Sequence, residues 1–438
     1  MHRLKSWLLS MAEKVREMIS GGIIWIFGGG IVSQICGMIS SMVVIQFLPK
    51  DDYGCFVSAN NFYSYFAVFI GLGLDVAILQ FCSERRSEEN KKAIYRYSFL
   101  AGELFNILLG VLIMGFAVVR ARRDGADSVR YLAYMSGLPL VTYVKTYLQT
   151  FLRIKRLNKQ YGVANIAYSI VIVVSKIVLT RYYGAAGLIY SIYVASAVSI
   201  VLCLVFCRQE KISEILFQKG TGLSRPEKKE ILSYSAICSI TNFASSVLLL
   251  LDITCLNFVL RNNVVLADYN VASVFPSACD FIPGCLILYF YPIIVEKFQD
   301  SVDEFRAFFG KMVGIFSVVA GSISIGLFVF APLILRIFYG EQYVSCSTIM
   351  RILCINFLIS ASFRILFGNV IAAIKQVKVN LIHNVIAGVL NVVLDLILIQ
   401  NMGSMGAALA TTFVTMFISL LEIVFILKFL QKERLRRG

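Results

Sequence analysis

The residues of this sequence with chemistry to explain are ionisable side chains set in apolar runs. Lys176 stands in "IVIVVSKIVLT" (170–180), Lys145 in "LVTYVKTYLQTF" and Arg364 in "ISASFRILFGNV". Acidic residues occupy similar runs: Glu103, Asp252, Asp280 and Asp395, with His383 in another. A charge at the centre of a membrane helix costs about 2.5–3.5 kcal/mol on insertion scales. Ammonium and guanidinium groups bind phosphate through charge-assisted hydrogen bonds, so cations facing a wet cavity would hold an anion, with diphosphates and acidic sugars the obvious classes. Lys145, Lys176 and Arg364 are the substrate-binding candidates on this reading, together with Asn242. Asp252 and Asp395 would couple a proton or a sodium ion, or partner the lysines; Glu103 and Asp280 share that role. The alternative is structural: ion pairs between helices, or side chains snorkelling to the headgroups. It suits Asp75 and Glu422, which lie near the ends of their runs.

Such charges need spans to carry them. Of the 438 residues 58% are hydrophobic and 15% charged, with mean hydropathy +0.78. An ordinary soluble domain is about 45–50% apolar and about 25% charged. A helix crosses a bilayer with about 20 mainly apolar residues. Candidate spans lie near 22–48, 55–82, 94–119, 131–152, 161–181, 184–207, 231–260, 268–296, 310–338, 346–373, 377–400 and 404–428, which leaves no large soluble domain. The net charge of +15 sits mostly in short connections, so it speaks for membrane topology and anionic headgroups, not nucleic acid. Lys and Arg concentrate at both termini and in the even-numbered connections, which places both termini in the cytoplasm. "RARRDGADSVR" (120–130) is the dissenting basic outer loop. Residues 2–20 read as an interfacial helix, and no cleavable signal peptide is evident. The eleven Cys form no C-x-x-C pair and read as small core residues.

The spans repeat. The stretch from Lys155 and the stretch from Lys375 each run basic loop, apolar span, then G-x-x-G opening the next span. Asp-Tyr stands at the entry to spans two and eight, at Asp52 and Asp268. The chain therefore reads as an N-terminal lobe (1–207), a cytoplasmic linker (208–230) and a C-terminal lobe (231–438). Two lobes of six spans share one orientation, with a site expected between them near the midplane. Lys176 and Asp395 both lie eight residues before the first glycine of that G-x-x-G, and Lys145 and Arg364 are near-equivalent. Like-signed residues at matched places do not neutralise each other, which favours the substrate reading for that second pair. Span eight holds Pro276, Pro283 and Pro292, and proline removes a backbone hydrogen bond and kinks a helix. Pro276 and Pro283 are therefore gating candidates, against the simpler reading of a passive kink.

Several classes fall away. There is no G-x-x-x-x-G-K-[ST], and only two His, so multi-histidine metal sites and histidine-based nucleophile arrangements are excluded. No metal, cofactor or enzymatic activity is expected. A membrane-embedded glycosyltransferase would need catalytic groups in a long outer loop, and the long loop here reads as cytoplasmic.

The chain resembles the polysaccharide-transporter branch of the MOP (multidrug/oligosaccharidyl-lipid/polysaccharide) flippase superfamily, the O-antigen or capsule repeat-unit flippases above all. The resemblance rests on "FLPKDDYGCFVSA", "GLGLDVAILQF", "GAAGLIYS", "LDITCLNFVLRNNVVLADYNVASVF", "FYGEQYVSCSTIMRIL" and "GSMGAALAT" in that order. It implies an all-α membrane protein of about twelve transmembrane helices, two six-helix lobes around a central cavity. It implies alternating access and an undecaprenyl-diphosphate-linked oligosaccharide as substrate, in a bacterial inner membrane. Membrane lipids, H+ or Na+ coupling, a polysaccharide polymerase as partner and a monomeric state belong to the same expectation. Cation-coupled multidrug export, on the same architecture, is the rival function.

Overall fold

The computed structural model describes residues 23–83, 86–124, 126–208, 210, 212–217, 222–374 and 376–437. The expected interfacial helix (2–20) and Lys375 lie outside them. Every regular element among the described residues is helical. Each of the twelve expected spans finds a helix or a consecutive run of helices, and eight of these are long and apolar enough by themselves to cross a membrane.

Of the other four, two are single helices and two are broken. Side chains near the start of the first helix, α1 (Ile23–Ile45), are not described. Span four breaks at Ser136 and Gly137 into α5 (Ala126–Met135) and α6 (Leu138–Ile154), with Pro139 fitting the first turn of α6, where its missing N–H has no role. Span seven is one long helix, α10 (Arg225–Leu260). Span eight breaks at Asp280, between α11 (Asn263–Cys279) and α12 (Phe281–Asp300), with Pro276 and Pro283 on either side of the break. Span two also breaks: α2 (Lys50–Ala67) gives way to a 3-10 turn (Ile70–Gly73) before α3 (Leu74–Ser83). Gly71, Leu72 and Gly73 there all have positive φ (64°, 49° and 70°).

Local chemistry sets the helix starts. Ser224 and Glu227 form a reciprocal cap at the head of α10: the Ser224 N–H donates to Glu227 Oε2 at 2.8 Å, and the Glu227 N–H to Ser224 Oγ at 3.4 Å. Hydrogen bonds from Ser224 hold the Glu227 carboxyl below its ordinary range. Asn262 caps α11 by accepting the Val264 N–H at 3.0 Å.

The chain divides into two compact units. One holds residues up to Leu48 with Phe62–Ala244; the other holds Pro49–Asn61 with residues from Ser245 on. These units cut the chain elsewhere than the expected lobe boundary in 208–230. In the first unit, Tyr143 and Tyr147 of α6 donate to the carbonyls of Ser98 and Tyr95 at 2.8 Å, fastening it to α4 (Glu88–Asp124). The head of α10 stays with this unit through Asn90–Glu227 (2.8 Å) and the Phe81–Tyr234 ring pair. In the second unit, a polar ladder fixes residues 49–61. Lys50 pairs with Asp268 at 2.8 Å, Tyr53 donates to Asn270 at 2.8 Å, Asn257 to Ser58 at 2.7 Å, and Asn61 to Thr254 at 2.7 Å. Gly54 permits this close approach, since a Cβ there would stand 2.0 Å from the Asn263 carbonyl oxygen. Phe305, Phe309, Phe316, Leu366 and Ile426 form its main apolar core.

The outward faces are apolar. Along α4, Leu104, Ile107, Val111 and Val118 are exposed, Leu104 by 70%. Val318, Ile325 and Val329 repeat the pattern on α13 (Val302–Tyr339). Such stripes fit lipid rather than water. In the basic stretch at 120–130, the Arg120 guanidinium lies 3.9 Å from the centre of the Phe62 ring, so one of its charges is engaged by an aromatic face.

Candidate functional site: two polar sites, one in each unit

The repeat is visible in the backbone. Helices α7 (Asn158–Tyr183) and α16 (Val377–Met402) each have 26 residues and each end on a glycine, Gly184 (φ 58°, ψ −143°) and Gly403 (φ 59°, ψ −137°). Gly187 and Gly406 then open α8 (Ala186–Phe206) and α17 (Ser404–Arg437). At both, a Cβ would stand 2.3 Å from the carbonyl of the preceding helix, at Leu179 and Leu398. The G-x-x-G pattern is thus one turn built twice.

In the second unit, Asp252 of α10 lines a cavity of about 40 Å³ with Arg364, Asn391 of α16, and Thr411 and Thr415 of α17. Asp252 Oδ2 accepts from the Tyr269 hydroxyl and from Thr411 Oγ1, the latter at 2.6 Å. Asp395, one helical turn after Asn391, is fully buried. Neither of its oxygens has a hydrogen-bond partner, nor has Asn391 Oδ1. Asp395 is close enough to Asp252 for the two charges to interact, with the Cys255 thiol beside it. Two buried carboxylates, an amide oxygen and hydroxyls are hard oxygen donors, the set that suits a proton or a small hard cation. A cavity of this size holds one water-sized species at most a few times over.

Arg364 arrives at this cavity from a π-helical turn (Ser360–Arg364) between α14 (Ser347–Ile359) and α15 (Ile365–Ala373). One extra residue per turn shifts the helix register, a device frequent at functional sites. Its charge is also felt by Glu422, which is buried. Lys145 has a different setting: its ammonium lies 4.0 Å from the centre of the Tyr168 ring. Lys145 and Arg364 match in sequence position but not in surroundings.

In the first unit, the break in span two opens a cavity of about 230 Å³ lined by Gly73, Asp75, Thr142, Thr146, Ser239 and Asn242, among others. Asp75, the second residue of α3, therefore faces a polar cavity. Lys176, half-buried on α7, has no carboxylate partner among the described residues. Glu103 Oε1 is buried without a hydrogen-bond partner. Asp280 is exposed at the break in span eight and lines neither cavity. His383 is buried with Nδ1 unpartnered, edge-on to Phe425.

The structure thus gathers Asp252, Asp395 and Arg364 in one place and Asn242 in another. Sequence reasoning missed Asn391, Thr411 and Thr415. The i, i+4 spacings of Asn391 with Asp395 and of Thr411 with Thr415 were available signals, since each puts its pair on one helix face.

The model of a family described as polysaccharide biosynthesis protein matches residues 19–295. An uncharacterized membrane protein of Methanocaldococcus jannaschii is 20% identical over 409 residues, covering 89% of this chain and 80% of its own. Among solved structures, an inward-facing multidrug resistance MATE transporter of the MOP superfamily superposes with a TM-score of 0.69 at 13% identity, covering 94% of this chain and 98% of its own. The lipid II flippase MurJ, in an inward closed conformation, superposes at 0.67 with 16% identity, covering 93% and 87%. At such identities these likenesses speak for the fold.

Proposed function

The chain belongs to the polysaccharide biosynthesis family, and from that premise we propose that it is a flippase of the MOP superfamily for a polyprenyl-diphosphate-linked oligosaccharide. It moves this lipid from the cytoplasmic to the outer leaflet of a bacterial inner membrane, for O-antigen or another surface polysaccharide. Residues 1–207 and 231–438 act as the two lobes of an alternating-access cycle around a central cavity, joined by 208–230, with both termini cytoplasmic. The transporter works as a monomer and passes its cargo to a polysaccharide polymerase.

The observation that carries this reading is the pair of lysines, Lys145 and Lys176, set in spans without a carboxylate partner among the described residues. An unneutralised ammonium at membrane depth costs free energy in the resting protein, and an anionic headgroup recovers it. The cation enters the cycle at Asp252 and Asp395. A proton or sodium ion there lowers the repulsion between two buried carboxylates and changes the field at Arg364, which lines the same cavity as Asp252. Arg364 is then the residue through which ion binding and anion binding communicate, and such coupling acts equally in both directions. Pro276 and Pro283, flanking the break at Asp280, let span eight bend as the cycle proceeds.

Equilibrium binding to the purified protein tests the reading. A polyprenyl diphosphate oligosaccharide is expected to bind, and to bind more weakly to Lys176→Ala. Binding of ethidium with no binding of the lipid would replace this function with cation-coupled drug export, the reading favoured by the architecture it shares with MATE transporters.

A further inference from the structure

We propose that the cavity at the break in span two is a subsite for one sugar ring of the transported lipid, an inference that rests on the function proposed above. All of its lining residues belong to the first unit. They come from three spans: the break that leads into α3, the centre of α6 and the centre of α10.

The backbone makes the space. Three consecutive residues with positive φ, Gly71, Leu72 and Gly73, interrupt the helix. Asn106 Oδ1 accepts the freed Gly71 N–H at 2.8 Å. A Cβ on Gly73 would stand 2.7 Å from the Ser235 carbonyl and 2.8 Å from Ser239 Oγ, so glycine keeps the cavity open there. Tyr143, pinned through its hydroxyl to Ser98, forms one wall.

The lining defines the ligand. Ser239 is fully buried, and its hydroxyl has no hydrogen-bond partner. A buried hydroxyl without a partner is unfavourable, and a ligand hydroxyl would satisfy it. Around it stand the Asp75 carboxylate, the Asn242 amide and the Thr142 and Thr146 hydroxyls. Together they offer both donors and acceptors to a ligand rich in hydroxyls. Val68, Ile70 and Val76 supply an apolar side for the C–H face of a ring. No lysine or arginine lines the cavity, so it addresses an uncharged part of the substrate and not the diphosphate. Its volume, about 230 Å³, is several times the roughly 30 Å³ of one water, too large for a bare ion. It is also below the roughly 300–1,000 Å³ of sites for drug-sized ligands. A single pyranose lies between these limits.

The test compares binding of sugar-free polyprenyl diphosphate with binding of the same lipid carrying one glucose, galactose or N-acetylglucosamine. With the full-length wild-type protein, at least one glycosylated lipid is expected to bind about tenfold more tightly than the bare lipid, a difference of one or two hydrogen bonds. Asp75→Asn and Ser239→Ala should each remove most of that preference and leave the bare lipid unaffected. Thr146→Val, isosteric and on another helix, should do the same and guards against a folding defect in the other two. Equal binding of bare and glycosylated lipids by the wild type would overturn the subsite alone, as would variants that weaken all probes together. Failure of every lipid to bind would overturn the proposed function and the subsite with it.

Discussion

The helices ending at Gly184 and Gly403 share length, turn and close packing, yet eight residues before the turn one carries Lys176 and the other Asp395. The surroundings diverge in the same way. The first unit has a roomy cavity lined by hydroxyls, an amide and one carboxylate; the second has a smaller one lined by Asp252 and Arg364, with the buried Asp395 one turn from its Asn391 wall. A repeated scaffold preserves the residues that shape backbone, such as Gly187 and Gly406, and leaves the polar positions free to specialise. On the proposed function the two sites divide the work, with organic substrate on one side and small cation on the other.

The largest effect that would break this division is expected at Lys176. A hydrogen bond to a charged group contributes about 1.5–3 kcal/mol, so Lys176→Ala should weaken binding of the diphosphate lipid by about ten- to 150-fold. The same substitution should improve membrane insertion, since the cost of a central charge disappears. A variant that inserts better but binds equally well would make Lys176 structural. Asp395→Asn comes next. Coupling free energies of about 1–3 kcal/mol correspond to roughly 5–150-fold, and that is the drop expected in the response of transport to a proton or sodium gradient. Binding of the lipid without any gradient should shift as well, because the coupling through Arg364 is reciprocal. Thermal melting in detergent would register a third effect: Gly54→Ala forces a Cβ against the Asn263 carbonyl and should destabilise by about 1–3 kcal/mol.

Smaller effects sharpen the picture. A double-mutant cycle on Ser58 and Asn257 should give a coupling near 0.6 kcal/mol, the average for polar pairs between membrane helices. The smallest is the acid response of the α10 cap. Glu227 is held below its ordinary range in the folded protein, so its contribution is present above the unfolded carboxyl value and fades as pH falls through the lower folded one. Ser224→Ala should flatten that part of a stability profile measured against pH.

Much of this fold is written in the sequence. Apolar runs located all twelve spans, because lipid demands long stretches with every backbone group bonded internally. The G-x-x-G spacing located the duplicated turn, because only glycine tolerates the carbonyl beside Gly187 and Gly406. Asp252 and Asp395 were singled out by the cost of burying charge. Their neighbours were not, because Thr411 and Asn391 are unremarkable by type and become donors to the site only when three helices converge. The breaks were hidden too. "GLGL" in span two reads as a continuation of an apolar run, whereas the positive φ at Leu72 follows Gly71, whose N–H is held by Asn106 and which lies against the Tyr143 ring. The ladder that ties residues 49–61 to the second unit joins positions about 190–220 apart, beyond any local pattern.

The most direct test of the flippase account is translocation in liposomes. The protein would be reconstituted with a polyprenyl-diphosphate oligosaccharide on one leaflet, and the fraction reaching the other followed over time. Movement that depends on the protein and falls in Lys176→Ala is the result the account predicts. Liposomes in which the lipid stays in its leaflet while a cationic dye is exported would contradict it.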